Sequence, residues 1–139
     1  MKDKIEISTD KDRLDIEMIH EFISNQSYWG KGRTLEEVQR TIENSINFGV
    51  YEHNKQIGFC RVVTDTVTFA YVMDFFVIEE FQQRGIGEML AQEMLSHSEL
   101  TSVRWLLATN DANGFYAKFG FRQIEDTARF MEKLPDSGS

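Results

Sequence analysis

Gln82-Gln83-Arg84-Gly85-Ile86-Gly87-Glu88 is one of three stretches of this chain whose residue types could do chemistry. Glycines at 85 and 87 let a backbone approach a ligand with no Cβ in the way. If a helix begins there, its first N–H groups lack acceptors and its dipole end is positive. That combination suits a phosphate or pyrophosphate held mainly by main chain. A tight strand-to-helix turn uses glycine in the same way, so the segment alone also has a structural reading. It lacks the Gly-Lys-Ser/Thr ending of a nucleotide P-loop and the first glycine of the dinucleotide fingerprint.

The second stretch is Asn110-Asp111-Ala112-Asn113-Gly114-Phe115-Tyr116-Ala117-Lys118-Phe119-Gly120-Phe121. A tyrosine hydroxyl, with an ordinary pKa of ~10, is protonated at neutral pH and can donate a proton to a leaving group. Taken alone, the stretch reads as helix packing closed by a glycine C-cap. The third is Asp74, a carboxylate inside the apolar run Tyr71-Val72-Met73-Asp74-Phe75-Phe76-Val77. Such a group must face a cleft, find hydrogen-bond partners or change its pKa. It could be a base, an anchor for a cationic amine or a structural acceptor, and the last two rank above the first. Tyr28-Trp29 adds an aromatic pair in a glycine-containing loop. The pair could wall an acceptor's carbon chain or cradle a cation, or it could cover a core edge. Arg61 and Asp65 read as an ion pair at a strand end, and Cys60 as a small buried hydrophobe.

These residues need elements to hold them. Lys4 to Ile7 alternates and suits a short first strand. Asp10 or Asp12 can cap a helix carrying Leu14, Met18, Ile19 and Phe22. Thr34-Leu35-Glu36-Glu37 is a capping box that opens a second helix with Leu35, Val38, Ile42 and Ile46 on one face. From Phe48 the period becomes extended: Phe48–Glu52 and Gln56–Thr64 predict antiparallel strands joined at His53-Asn54-Lys55. Phe69–Ile78 predicts a central strand covered on both faces. Gly85–His97 predicts a helix, Val103–Ala108 a strand, and Ala112–Phe119 a short helix stopped by Gly120. Phe121–Ile124 and Phe130–Lys133 predict closing strands. The order excludes a classical dinucleotide fold, which would alternate strand and helix from the start. It predicts an α/β fold whose mixed, mostly antiparallel central sheet is flanked by helices on both faces.

Composition narrows the function classes. The chain has 139 residues and a net charge of −8, which argues against a broad basic surface for nucleic acid. One cysteine excludes an internal disulfide framework, and the three histidines have no metal-ligand spacing. No stretch approaches a membrane span, and the charged N-terminus lacks an apolar signal region. The expectation is a cytoplasmic protein with one domain over residues 1–134, a disordered tail at 135–139, no metal, no membrane partner, and room for a homodimer.

The first two motifs, in this order with one strand between, resemble the GNAT superfamily of N-acetyltransferases. Gln82-x-x-Gly85-x-Gly87 matches its Gln/Arg-x-x-Gly-x-Gly/Ala pyrophosphate loop, and Phe115-Tyr116-Ala117-Lys118-Phe119-Gly120-Phe121 matches its Phe-Tyr-x-Lys-x-Gly-Phe element. The element order across roughly residues 5–133 also agrees with the acyl-CoA N-acyltransferase fold. The resemblance implies acetyl-CoA as acetyl donor. Gln82, Gln83, Arg84, Gly85, Ile86, Gly87 and Glu88 would wrap its pyrophosphate with amides, while Phe76 and Val77 would pair with its pantetheine arm. Asn110 is a looser cofactor contact, because an Asn at the family's usual longer spacing before the tyrosine is absent. Tyr116 would be the general acid, Asp74 a further catalytic-site residue, and Tyr28 and Trp29 the substrate wall. The implied acceptor is a primary amine of a small molecule. A non-catalytic acyl-CoA-binding regulatory module and a nucleotide-phosphate enzyme are the alternatives.

Overall fold

The structure is a computed structural model and describes residues 4–26 and 32–136. The chain forms two compact units that divide after Ala108. The first contains β1 (Ile5–Ser8), α1 (Ile16–Gln26), α2 (Leu35–Glu43), β2 (Ile46–Glu52), β3 (Lys55–Thr64), β4 (Phe69–Val77), α3 (Ile86–Leu95) and β5 (Arg104–Leu106). The second contains α4 (Asn113–Ala117) and a short 3₁₀ turn, Thr127–Arg129.

The five strands lie in the order β1-β2-β3-β4-β5. The first four pair antiparallel and β5 pairs parallel with β4. This is the mixed, mostly antiparallel sheet expected. The β2–β3 hairpin turns through His53 (φ 52°) and Asn54 (φ 68°), the left-handed pair that a two-residue type I′ turn requires. On one face Ile86, Leu90 and Met94 of α3 pack with Phe48, Val50, Cys60, Val62, Ala70 and Val72. On the other, Ile19 and Ile23 of α1 and Val38 and Ile42 of α2 pack with Phe59 and Phe76. Burial on both faces explains why β3 and β4 are so apolar.

Local signals placed most helix ends. Thr34 and Glu37 form the capping box, with Thr34 N–H donating to Glu37 Oε1 (2.9 Å) and Glu37 N–H to Thr34 Oγ1 (3.0 Å). At α1 the expectation needs correction. Asp10 caps only a 3₁₀ turn over Lys11–Arg13, and Leu14 is extended. The α-helix starts after Asp15, whose Oδ1 accepts from Met18 N–H (3.1 Å). A distant residue fixes that start, because Asp15 N–H donates to Gln56 Oε1 on β3 (2.7 Å).

The two closing strands do not form among the described residues. Residues 121–126 are irregular, and Phe130, Met131 and Leu134 are exposed. A strand exists only where a neighbour takes up its N–H and C=O groups, and the ladder ends at β5. Phe121 and Ile124 show the further difficulty: the two half-buried residues of that stretch are three apart, which is not strand alternation.

Candidate functional site

The site residues of the first unit gather at one end of β4. Phe69, Ala70 and Tyr71 pair with Arg104, Trp105 and Leu106, and there the β4–β5 pairing stops. Residues 72–77 continue to pair with β3 but have no β5 partner. β4 thus runs past its pairing with β5 over the half that carries Phe76 and Val77. Both side chains are buried, with the Phe76 ring stacked on Phe22 at 3.8 Å between centroids and 8° between planes. What Phe76 and Val77 can offer a ligand is backbone.

The loop after β4 is wound by two left-handed residues in three, Gln83 (φ 64°) and Gly85 (φ 80°). Apart from Gly85 and its two chain neighbours, no described heavy atom lies within 4 Å of where a Gly85 Cβ would stand, so the turn leaves open space on that side. Met89 N–H to Gly85 O (3.1 Å) is the bond that starts α3. The Ile86 and Gly87 N–H groups precede it and have no acceptor within the helix. The open space beside Gly85, the N–H groups without a helical acceptor and the dipole end are the features that could take a pyrophosphate. Gln82 does more than its sequence suggested. Its Nε2 donates to Val77 O (2.8 Å), tying the loop to the end of β4. Arg84 lies with its Cζ 4.9 Å from the centroid of Phe81 and adds positive charge beside the turn. Gln83 and Glu88 are exposed.

Asp74 lies beyond the β4–β5 pairing and is not available to solvent. Its Oδ2 accepts from Arg61 Nε at 2.9 Å, and its side chain is 1% exposed. Of the three readings of Asp74, this geometry is that of a structural acceptor. It also overturns the expected Arg61–Asp65 pair. Asp65 instead accepts from Val67 N–H, Thr68 N–H and Thr68 Oγ1, closing the β3–β4 turn. Those bonds, that of the Thr68 hydroxyl first, hold its carboxyl well below the usual carboxylate range. Arg61 and Asp65 are four residues apart in one chain, yet register across strands decided the ion pair.

Tyr116 and Asn110 belong to the second unit. Tyr116 is half-buried on α4, edge-on to Phe115 (5.1 Å) and Phe121 (5.7 Å). Gly120 at φ 95° closes the helix: its N–H donates to Ala117 O (3.1 Å) and Phe121 N–H to Tyr116 O (3.3 Å). That Schellman pattern is the C-cap the motif's glycine predicted. Asn110 is exposed in the bend before α4. Tyr28 and Trp29 lie outside the described residues. Among the described residues no His/Cys/Asp/Glu cluster suits a metal ion, and no helix is long and apolar enough to cross a membrane.

A sequence profile described as "Acetyltransferase (GNAT) domain" matches residues 43–123, which contain both motifs. An uncharacterised N-acetyltransferase of Chlorobaculum tepidum is 33% identical over 105 residues, 72% of this chain and 66% of its own length. The chain thus spans about two thirds of that curated relative, and 59% of the next, an acetyltransferase-like protein of Gibberella zeae. The crystal structure of a GNAT-family protein from Xanthomonas campestris pv. campestris superposes with a TM-score of 0.93 at 38% identity, covering 95% of this chain and 94% of that one. Glucosamine-6-phosphate N-acetyltransferase from Arabidopsis thaliana shares the fold, with a TM-score of 0.67 at 16% identity over 96% of this chain and 99% of its own. The chain belongs to the GNAT family of acetyltransferases.

Proposed function

We propose that the protein transfers the acetyl group of acetyl-CoA to a primary amine of a small molecule by direct attack. The observation that carries this reading is the end of β4, where the strand runs past its pairing with β5 and leads into the left-handed Gly85 turn. Acetyl-CoA supplies the activated thioester. The Gln82–Glu88 segment holds its pyrophosphate with main-chain N–H groups, and the backbone of Phe76 and Val77 lines its arm. Asn110 is a further contact to the donor.

An alkylamine with pKa ~10.4 is neutral in only about one molecule in a few thousand at pH 7, so it must lose a proton before attack. The nitrogen then bonds to the carbonyl carbon, gives up one of its two remaining protons to water, and the C–S bond breaks. Tyr116 gives its hydroxyl proton to the departing sulfur, and bulk water restores it. The net negative charge of the chain favours an acceptor that arrives as a cation. Tyr28 and Trp29 are the proposed wall for its carbon skeleton. With Asp74 already holding Arg61, proton removal from the amine falls to water or to another group.

A screen of polyamines, aminoglycosides, amino acids and peptide N-termini with detection of free CoA thiol tests the reading. Tyr116→Phe is expected to lower kcat by roughly 10²- to 10⁴-fold, the usual worth of general acid catalysis, with acetyl-CoA affinity nearly intact. Acetyl-CoA at a hundred times its Kd should stabilise the protein by about 2.7 kcal/mol, and Gly85→Asp should remove that stabilisation. Aspartate tolerates the left-handed backbone at 85, so the variant folds while its carboxylate repels pyrophosphate. Tight acetyl-CoA binding with no thiol release for any amine would favour the regulatory module instead.

A further inference from the structure

The loop from β4 to α3 alternates tied residues with left-handed ones. Gln82 is extended (φ −74°, ψ 158°), and its Nε2 reaches back to donate to Val77 O (2.8 Å). Gln83 follows at φ 64°. Arg84 then reaches back over the ring of Phe81, its Cζ 4.9 Å from the centroid, and Gly85 follows at φ 80°. Glycine meets no penalty in left-handed backbone, but glutamine does, because its Cβ crowds the following carbonyl oxygen. Gln83 is therefore the strained residue of the loop, and something must hold it.

The foot of the Gln82 tie is firm. Val77 pairs with Gly58 of β3, and the next residue, Ile78, donates its N–H to Ile57 O (2.9 Å). The 3₁₀ turn Glu79–Phe81 leads from there to Gln82, with Phe81 N–H on Ile78 O (2.9 Å) and Gln82 N–H on Glu79 O (3.1 Å). Those bonds are local, and the Gln82 side chain adds the one that spans the whole turn. The net worth of one such hydrogen bond is of the same order as the cost of one left-handed residue with a Cβ. One bond is therefore enough to hold Gln83, and its loss is enough to release it. We propose that Gln82 is a positioning residue. Its side-chain amide, committed to Val77 O, does not hold the ligand. It fixes Gln83, and through Gln83 the Gly85 turn from which the Ile86 and Gly87 N–H groups open α3. The proposal rests on the reading of that turn as the pyrophosphate site, and it assigns the first side chain of the motif to the turn rather than to the phosphates.

Hydrogen exchange without ligand separates the two roles, because Met89 N–H donates to Gly85 O (3.1 Å) and reports whether the turn is formed. Gln82→Met keeps the length and neutrality of the side chain and removes the donor. Gln82 and Gln83 are exposed, so substitution at either leaves the core intact. In Gln82→Met, exchange at Met89 should rise roughly three- to tenfold, the usual worth of one hydrogen bond. Ser96 N–H, bonded to Gln92 O (3.0 Å) at the far end of α3, should exchange as in wild type. The Kd for acetyl-CoA should rise about threefold or more, since only molecules with the turn formed are competent to bind. Neither kcat at saturating acetyl-CoA nor KM for the amine should change. Adding Gln83→Asn should return Met89 exchange and Kd to within about twofold of wild type, because asparagine tolerates left-handed backbone and no longer needs the tie.

Weaker acetyl-CoA binding with unchanged Met89 exchange overturns the proposal, since Gln82 would then touch the ligand. Faster Met89 exchange with unchanged Kd overturns it as well, because the turn would then not matter to the ligand. So does no change in either quantity, and so does faster exchange along all of α3 including Ser96, the sign of general destabilisation. A Gln82→Met/Gln83→Asn protein that exchanges at Met89 as fast as Gln82→Met removes the link through Gln83. If wild-type protein fails to bind acetyl-CoA, the pyrophosphate reading fails, and Met89 exchange in the two variants still decides whether Gln82 holds the turn.

Discussion

Towards α3 the sheet presents Phe48, Val50, Cys60, Val62, Ala70 and Val72, whereas the α1/α2 face buries Asn47, Gln56, Arg61 and Asp74 among its apolar side chains. The first face is held by area removed from water and by close packing, neither of which is directional. Hydrogen bonds on the second face are directional, and each fixes a position. Gln56 sets where α1 begins by accepting from Asp15 N–H, and its Nε2 donates to Gly58 O (3.0 Å). Asn47 Nδ2 donates to Ile42 O (2.9 Å) and Ser45 O (3.1 Å), setting how α2 runs into β2. Arg61 Nε donates to Asp74 Oδ2 (2.9 Å) where the register between β3 and β4 shifts. Apolar packing gives the protein most of its stability, and the buried polar groups decide where elements stop and bend.

The contrast can be tested from both sides, beginning with the larger effect. Leu90→Ala on α3 removes a fully buried side chain and should cost about 2–5 kcal/mol in urea unfolding. It should leave hydrogen exchange at residues 73–77 unchanged, and a raised rate there would mean that packing on the α3 face also holds that end of β4. Gln56→Met keeps the volume but strands Asp15 N–H and Gly58 O, and should cost about 1–3 kcal/mol. Its mark should be local, with faster exchange at the start of α1. Uniform loss of protection across both helices of that face would count against a positional role.

Cys60 gives the smallest signal. It is fully buried beside Met94, and burial, with the charge of Asp74, pushes its thiol pKa up. A neutral disulfide reagent should therefore leave it unmodified in native protein and react with it in denatured protein. Rapid labelling of the native state would show that the α3 face is not closed.

Neighbouring residues were enough to settle several features from the amino-acid sequence alone. Gly120 adopts left-handed backbone at the end of α4, as its C-cap reading expected, because a residue without Cβ meets no penalty there. The Thr34–Glu37 box, the His53-Asn54 turn and the apolar runs of β3 and β4 were legible for the same reason: their partners lie within a few residues, or their pattern repeats at a fixed period. The family motifs were legible too, since a glycine turn at a helix start and a capped tyrosine helix are local in sequence. Tertiary structure decided what depends on distant partners. Asp15 rather than Asp10 begins α1 because Gln56, on another strand, takes up its N–H. Arg61 found Asp74 rather than Asp65 because strand register placed that carboxylate beside it. Residues 121–124 and 130–133 have strand-like composition but no strand among the described residues, because a ladder needs a neighbour that composition cannot supply. The register shift between β3 and β4 is of the same kind: a mismatch between two strands exists only after they have paired.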